Sequence, residues 1–64
     1  MIGSVRRRGN MLEIFDERGR FLGRISLGSQ DVLLGWTGDT VIVGRGRLVY
    51  HYDARGRLKG TRPR

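Results

Sequence analysis

One phrase occurs twice in this chain, and it constrains the fold more than any other feature. Phe15-Asp16-Glu17-Arg18-Gly19-Arg20-Phe21-Leu22-Gly23 returns as Tyr52-Asp53-Ala54-Arg55-Gly56-Arg57-Leu58-Lys59-Gly60, 37 positions later. The match extends backwards, with Arg8-Gly9 against Arg45-Gly46, Met11-Leu12 against Leu48-Val49 and Val5 against Ile42. Seven of the 22 aligned positions are identical between residues 3–24 and 40–61; about two would match by chance at this composition. The chain is an internal duplication, and each half has to form the same local structure.

Asp-x-x-Gly between two apolar or aromatic runs specifies a hairpin turn. The Asp carboxylate accepts from the backbone N–H two residues on, and Gly at the fourth position takes φ > 0 without a Cβ clash. Asp16, Gly19, Asp53 and Gly56 are therefore expected as structural turn residues rather than as catalytic groups. Arg8-Gly9-Asn10 and Arg45-Gly46-Arg47 read as a second, tighter turn, with Gly and Asn suited to φ > 0. Each half is then a three-stranded meander.

Alternation places the strands. Residues 4–8, 11–15 and 20–27 form the first meander, with residues 1–3 loose. Arg6 falls opposite Glu13 and Val5 opposite Ile14 across the first turn. One face carries Val5, Leu12, Ile14, Phe21 and Ile25, and the other carries Arg6, Glu13, Arg20 and Arg24, the pattern of a half-buried antiparallel sheet. With Phe15 opposite Arg20 across the second turn, Ile14 falls opposite Phe21 and Leu12 opposite Gly23, and a bulge would shift this pairing by one. Gly28-Ser29-Gln30-Asp31 links the halves. Residues 32–36 form a short extra strand, with Trp36 expected in the core or at an interface. In the second meander both faces are apolar: Ile42, Val49 and Leu58 beside His51 on one, Val41, Val43, Leu48, Tyr50 and Tyr52 on the other. Repeat one can cover one of these faces. Either a second copy of the chain or the run Val32, Leu34 and Trp36 has to cover the other. Arg62-Pro63-Arg64 reads as a disordered basic tail.

With 64 residues the chain makes one domain with a marginal core. There is no Cys and one His, so neither a disulfide nor an ordinary single-chain zinc site is available, and no metal or other cofactor is expected. Self-association, most simply as a dimer, is one way for so small a domain to gain stability. No apolar run has the length of a membrane-spanning helix or a signal-peptide core, so no membrane partner and a cytoplasmic setting are expected. His51 has no Ser or Cys nucleophile at a useful spacing. Gly44-Arg45-Gly46 lacks the third Gly of a dinucleotide fingerprint. No enzyme is expected.

Charge points elsewhere. Thirteen basic residues, twelve of them Arg, stand against six acidic ones, giving a formal net charge of +7 and a pI near 11.5. This balance favours polyanions, chiefly nucleic acid. Aromatic side chains interleaved with Arg can stack on the bases of a single strand while the guanidiniums meet its phosphates. The expected surface is Arg6, Arg7, Arg8, Arg45 and Arg47 beside Tyr50 and Tyr52. The same tyrosines would serve a self-associating structural module.

Tyr52-Asp53-Ala54-Arg55-Gly56-Arg57-Leu58, and more loosely Phe15 to Phe21, resembles the YD repeat of Rhs-type proteins, whose core reads Tyr-Asp-x-x-Gly-Arg-Leu. The resemblance covers two stretches of about seven residues. It implies β-hairpins of the kind that family arrays into β shells around toxin cargo. Two copies cannot enclose anything.

The sequence thus specifies an all-β domain over residues 1–64, with pseudo-repeats at 4–27 and 40–61 and a linker strand at 32–36. The architecture is a small antiparallel barrel or a sandwich of two meanders, and the duplication favours the sandwich. The functional expectation is a small basic binding module for nucleic acid, with self-assembly as the alternative.

Overall fold

A computed structural model describes all residues 1–64. It contains seven strands and no helix: β1 (Ile2–Arg8), β2 (Met11–Asp16), β3 (Phe21–Ser26), β4 (Val32–Trp36), β5 (Val41–Arg45), β6 (Leu48–Tyr52) and β7 (Leu58–Pro63). They form two antiparallel sheets, β1-β2-β3 and β4-β5-β6-β7, that face each other without closing into a barrel. The fold is a small sandwich. No helix is present that could cross a membrane.

The duplicated turns are superimposable in their bonding. Asp16 Oδ1 accepts from the N–H groups of Arg18 and Arg20, each at 2.8 Å. Asp53 Oδ1 accepts from Arg55 and Arg57 at 2.8 and 2.9 Å. Gly19 has φ +83° and Gly56 φ +86°. The tighter turns also match, with φ +60° at Gly9 and +62° at Gly46, but Asn10 does not take φ > 0. Positive φ at the first central residue alone is the type II′ pattern, which suits the twist of a hairpin.

Arg6 pairs with Glu13 and Val5 with Ile14, as alternation requires. Past Ile14 the register shifts: Ile14 faces Gly23, yet Phe15 faces Phe21. The bulge lies at Leu22. It turns Leu22 against the core and puts Phe21, 48% exposed, on the outer face instead. The extra residue inverts the alternation, so Phe21 leaves the expected core face.

The core joins Ile2, Val5, Leu12, Ile14, Ile25 and Leu27 of the first half to Val41, Val43 and Tyr52 of the second. Leu33 and Tyr50 pack beside it. Here the two repeats diverge. Leu12 and Ile14 face inwards, whereas their counterparts Val49 and His51 face outwards. Tyr52 is buried and its counterpart Phe15 lies on the outer face. Each meander uses the opposite face of the same pattern. The linker run covers neither face of repeat two: β4 extends that sheet beside β5, and Trp36 stays 41% exposed.

The ends are better ordered than composition implies. Ile2 is buried and its N–H donates to the Gly38 carbonyl at 2.6 Å. The expected tail instead continues β7 through Pro63, and the Arg64 N–H donates to the Arg47 carbonyl at 2.7 Å.

Gly23 explains how the two halves meet. A Cβ there would run into the backbone of Arg55, and one on Gly56 would strike the Arg24 carbonyl. The second Asp-x-x-Gly turn therefore seats directly on β3, backbone against backbone. Their counterparts Gly60 and Gly19 have nothing within 4 Å of the same position. Gly56→Ala is thus expected to cost about 2 kcal/mol or more, combining left-handed strain with a backbone clash. Gly19→Ala carries the strain alone, about 1 kcal/mol. Urea denaturation of the two variants measures the difference. Equal losses would mean that the second turn is not seated on β3.

Candidate nucleic-acid interface

The outer face of the first sheet assembles a group of side chains from all three strands. Cross-strand pairing aligns Arg6, Glu13 and Arg24 in one row and Ser4, Phe15 and Phe21 in another. Phe15 and Phe21 meet edge to face, with centroids 6.0 Å apart and planes at 74°. The Arg6 guanidinium lies 5.8 Å from the Phe15 centroid and that of Arg24 lies 5.2 Å from Phe21. Such spacing permits cation–π attraction. Arg8 joins the face opposite Met11, and a shallow cleft of about 310 Å3 runs between Arg8, Met11, Glu13 and Arg24. A smaller one of about 130 Å3 lies among Ser4, Arg6, Phe15 and Gly19.

The bulge creates this face. Without it, Phe21 would share the side of Gly23 and the rings would never meet. Sequence alternation therefore missed Phe15, Phe21 and Arg24 as one surface group. Two aromatics flanking an Asp-x-x-Gly turn were the available signal, because a bulge beside such a turn brings them opposite each other.

The other expected residues are dispersed. Arg6 and Arg8 belong to this face, while Arg7 falls opposite Leu12 on the inward side, exposed at the edge strand, with its Nε donating to the Gly9 carbonyl at 3.2 Å. Arg47 is exposed in the β5–β6 turn. Tyr52, 8% exposed, is a core residue and offers no platform. Tyr50 stacks on it at 6.4 Å and is covered in turn by Arg45, whose guanidinium lies 4.5 Å from the Tyr50 centroid. Arg45 Nε donates to Asp31 Oδ2 at 2.8 Å, an ion pair with Asp31 only 6% exposed. Arg45 also reaches the Ser26 carbonyl at 3.4 Å. This arginine straps the linker to the second sheet rather than standing free for a phosphate.

Comparison with protein-family models, with characterised proteins and with solved structures finds no match.

The carboxylates are largely occupied by the fold, which leaves the positive charge uncompensated. Arg45–Asp31 is the one ion pair within 4.0 Å. The Arg20 N–H is the main reason Asp16 titrates below the ordinary carboxylate range, and the Arg57 N–H does the same for Asp53. Asp31 is lowered chiefly by the Gly28 N–H, with burial opposing and Arg45 adding. Asp39 is lowered by the Thr40 and Thr37 hydroxyls.

In each case the folded chain releases its proton more readily than the unfolded one. The stability these groups contribute is complete above the unfolded value near pH 4 and is lost as pH falls through the lower folded values. The urea midpoint is therefore expected to stay level down to about pH 5 and to fall below about pH 4. Asp16→Asn and Asp53→Asn should each lower stability at neutral pH and flatten the acid loss. A midpoint that rises on acidification would contradict the assignment.

Proposed function

We propose that the protein binds single-stranded nucleic acid on the outer face of β1-β2-β3. One observation carries the reading: Phe15 and Phe21 form an aromatic pair on an exposed sheet face, each ring with an arginine over it, on a chain of net charge +7. Phe21 is the more exposed ring and offers the main platform. A base stacking on it takes the place of the Arg24 guanidinium, which then turns to the adjacent phosphate. Arg6 plays the same part beside Phe15, and Arg8 extends the phosphate track. Glu13 stands between Arg6 and Arg24 and accepts from an exocyclic amino group of a base without adding to phosphate affinity. An open sheet face with stacking aromatics suits unpaired bases, since bases in a duplex are stacked on one another. Binding is expected to be weakly dependent on sequence, because every base has a π-face. No chemical step is part of this reading.

A second reading, self-association, is supported by a different part of the molecule and stands independently of the first.

Anisotropy of a fluorescein-labelled oligonucleotide tests the interface. Affinity should be micromolar at low salt and fall linearly in log–log against salt, with a slope of about −1.4 to −2.8 for two to four neutralised phosphates. Phe21→Ala should weaken binding by about five- to a hundredfold, the worth of one stacked base. Arg6→Gln with Arg24→Gln should reduce the slope by about 1.4. Arg47→Gln with Arg62→Gln, in the β5–β6 turn and on β7 of the other sheet, should change little. No anisotropy change at low salt with excess protein, or equal losses for the two double variants, would sink the assignment.

A further inference from the structure

The sandwich has four edge strands: β1 and β3 in one sheet, β4 and β7 in the other. An edge presents unpaired backbone N–H and C=O groups, and proteins blunt it with charge, Pro or a covering segment. Three of these edges carry charge, Pro or a packed segment. β1 carries Arg6, Arg7 and Arg8. β7 carries Lys59, Arg62 and Pro63. β3 carries Arg24, and the turn holding Arg55 and Gly56 packs against its inner side at Gly23 and Arg24. β4 differs. Val32-Leu33-Leu34-Gly35-Trp36 has no charged residue and no Pro, and its one irregularity is the register shift between Leu33 and Gly35. Val32, Leu34 and Trp36 are 42, 48 and 41% exposed.

Charge is segregated in the same sense. All thirteen basic residues lie within 6–24 or 45–64. Between Arg24 and Arg45 there is none, and the only charged side chains are Asp31 and Asp39. Asp31 is already engaged by Arg45. On a molecule of net charge +7, β4 adds no charge of its own to the edge, and the basic group that approaches it is Arg64, whose guanidinium packs with Val32 about Gly44.

We propose that β4 is a self-association edge whose occupant is the β4 edge of a second copy of this chain, the two strands lying side by side and antiparallel across a two-fold axis. Val32, Leu34 and Trp36 of each copy enter the contact. An acidic partner would be drawn to the arginines elsewhere. A near-neutral apolar edge is matched by an identical edge, and an isologous contact closes on itself. A strand of five residues spans only about 17 Å, so the contact is small and the association weak, in the micromolar range or above. The Phe15–Phe21 face lies on the other sheet and stays open in the dimer.

Sedimentation velocity on nucleic-acid-free protein, from micromolar to near-millimolar concentration at low and high salt, tests this. The expected result is a concentration-dependent monomer–dimer equilibrium that persists at high salt. Leu34→Lys should weaken it about tenfold or more, through charge placed on the edge, with unchanged circular dichroism. The chain has no cysteine, so single-Cys variants give a second readout that does not depend on the Lys variant folding. Leu34→Cys should form an intermolecular disulfide well before Leu58→Cys, which replaces a similarly exposed leucine on β7. A single-chain mass at the highest concentration would overturn the proposal. So would a dimer that Leu34→Lys leaves intact, or equal cross-linking at the two positions.

Discussion

Two glycines hold the halves of this protein together. Gly23 on β3 meets the Arg55 backbone, and Gly56 in the second turn meets the Arg24 carbonyl. No side chain separates the two main chains at this point. Where backbones approach so closely, only glycine fits, and the rest of the arrangement depends on that seat. It places the second Asp-x-x-Gly turn on the inner surface of the first sheet. Tyr52, immediately before Asp53, joins the core, and His51 is left outside. Had the equivalent Gly60 and Gly19 made the contact, the opposite face of repeat two would have turned inwards.

The opposite end of the sandwich is closed by polar means. Arg45 bonds to Asp31, reaches towards Ser26 and lies over Tyr50, which stacks on Tyr52. A buried carboxylate is tolerable because the Gly28 N–H and the guanidinium both satisfy it. Between the glycine seat and this strap lies a core of nine side chains, two of them at the sequence extremes of the first half, Ile2 and Leu27. So small a core leaves much of the apolar surface outside, at Phe21, Val32, Leu34, Trp36 and Leu58.

That outer surface is divided by charge. Phe21 lies under an arginine beside a second aromatic, whereas Val32, Leu34 and Trp36 lie in the stretch without a basic residue. Aromatic area next to guanidinium suits a polyanion with flat bases. Apolar area without charge of its own suits another apolar edge. The two surfaces belong to different sheets.

The duplicated Asp-x-x-Gly phrase determined the hairpins, since its bonding is local: a carboxylate and N–H groups two and four residues away. Alternation determined the strands and the Arg6–Glu13 and Val5–Ile14 register for the same reason, because each rests on neighbours across one tight turn. Alternation could not determine which face of repeat two is buried. Both its faces are apolar, and the choice was made by a contact between Gly23 and Arg55, far apart in sequence. Nor could it place Phe21, because one inserted residue at Leu22 reverses Phe21 relative to Gly23, Arg24 and Ile25, and Leu22 packs against the assembled core. The sequence by itself set the local units and their charge. The tertiary structure alone decided which sides of those units face each other, and hence that Tyr52 is buried with Tyr50 half-buried beside it while Phe15 and Phe21 meet on the outer face.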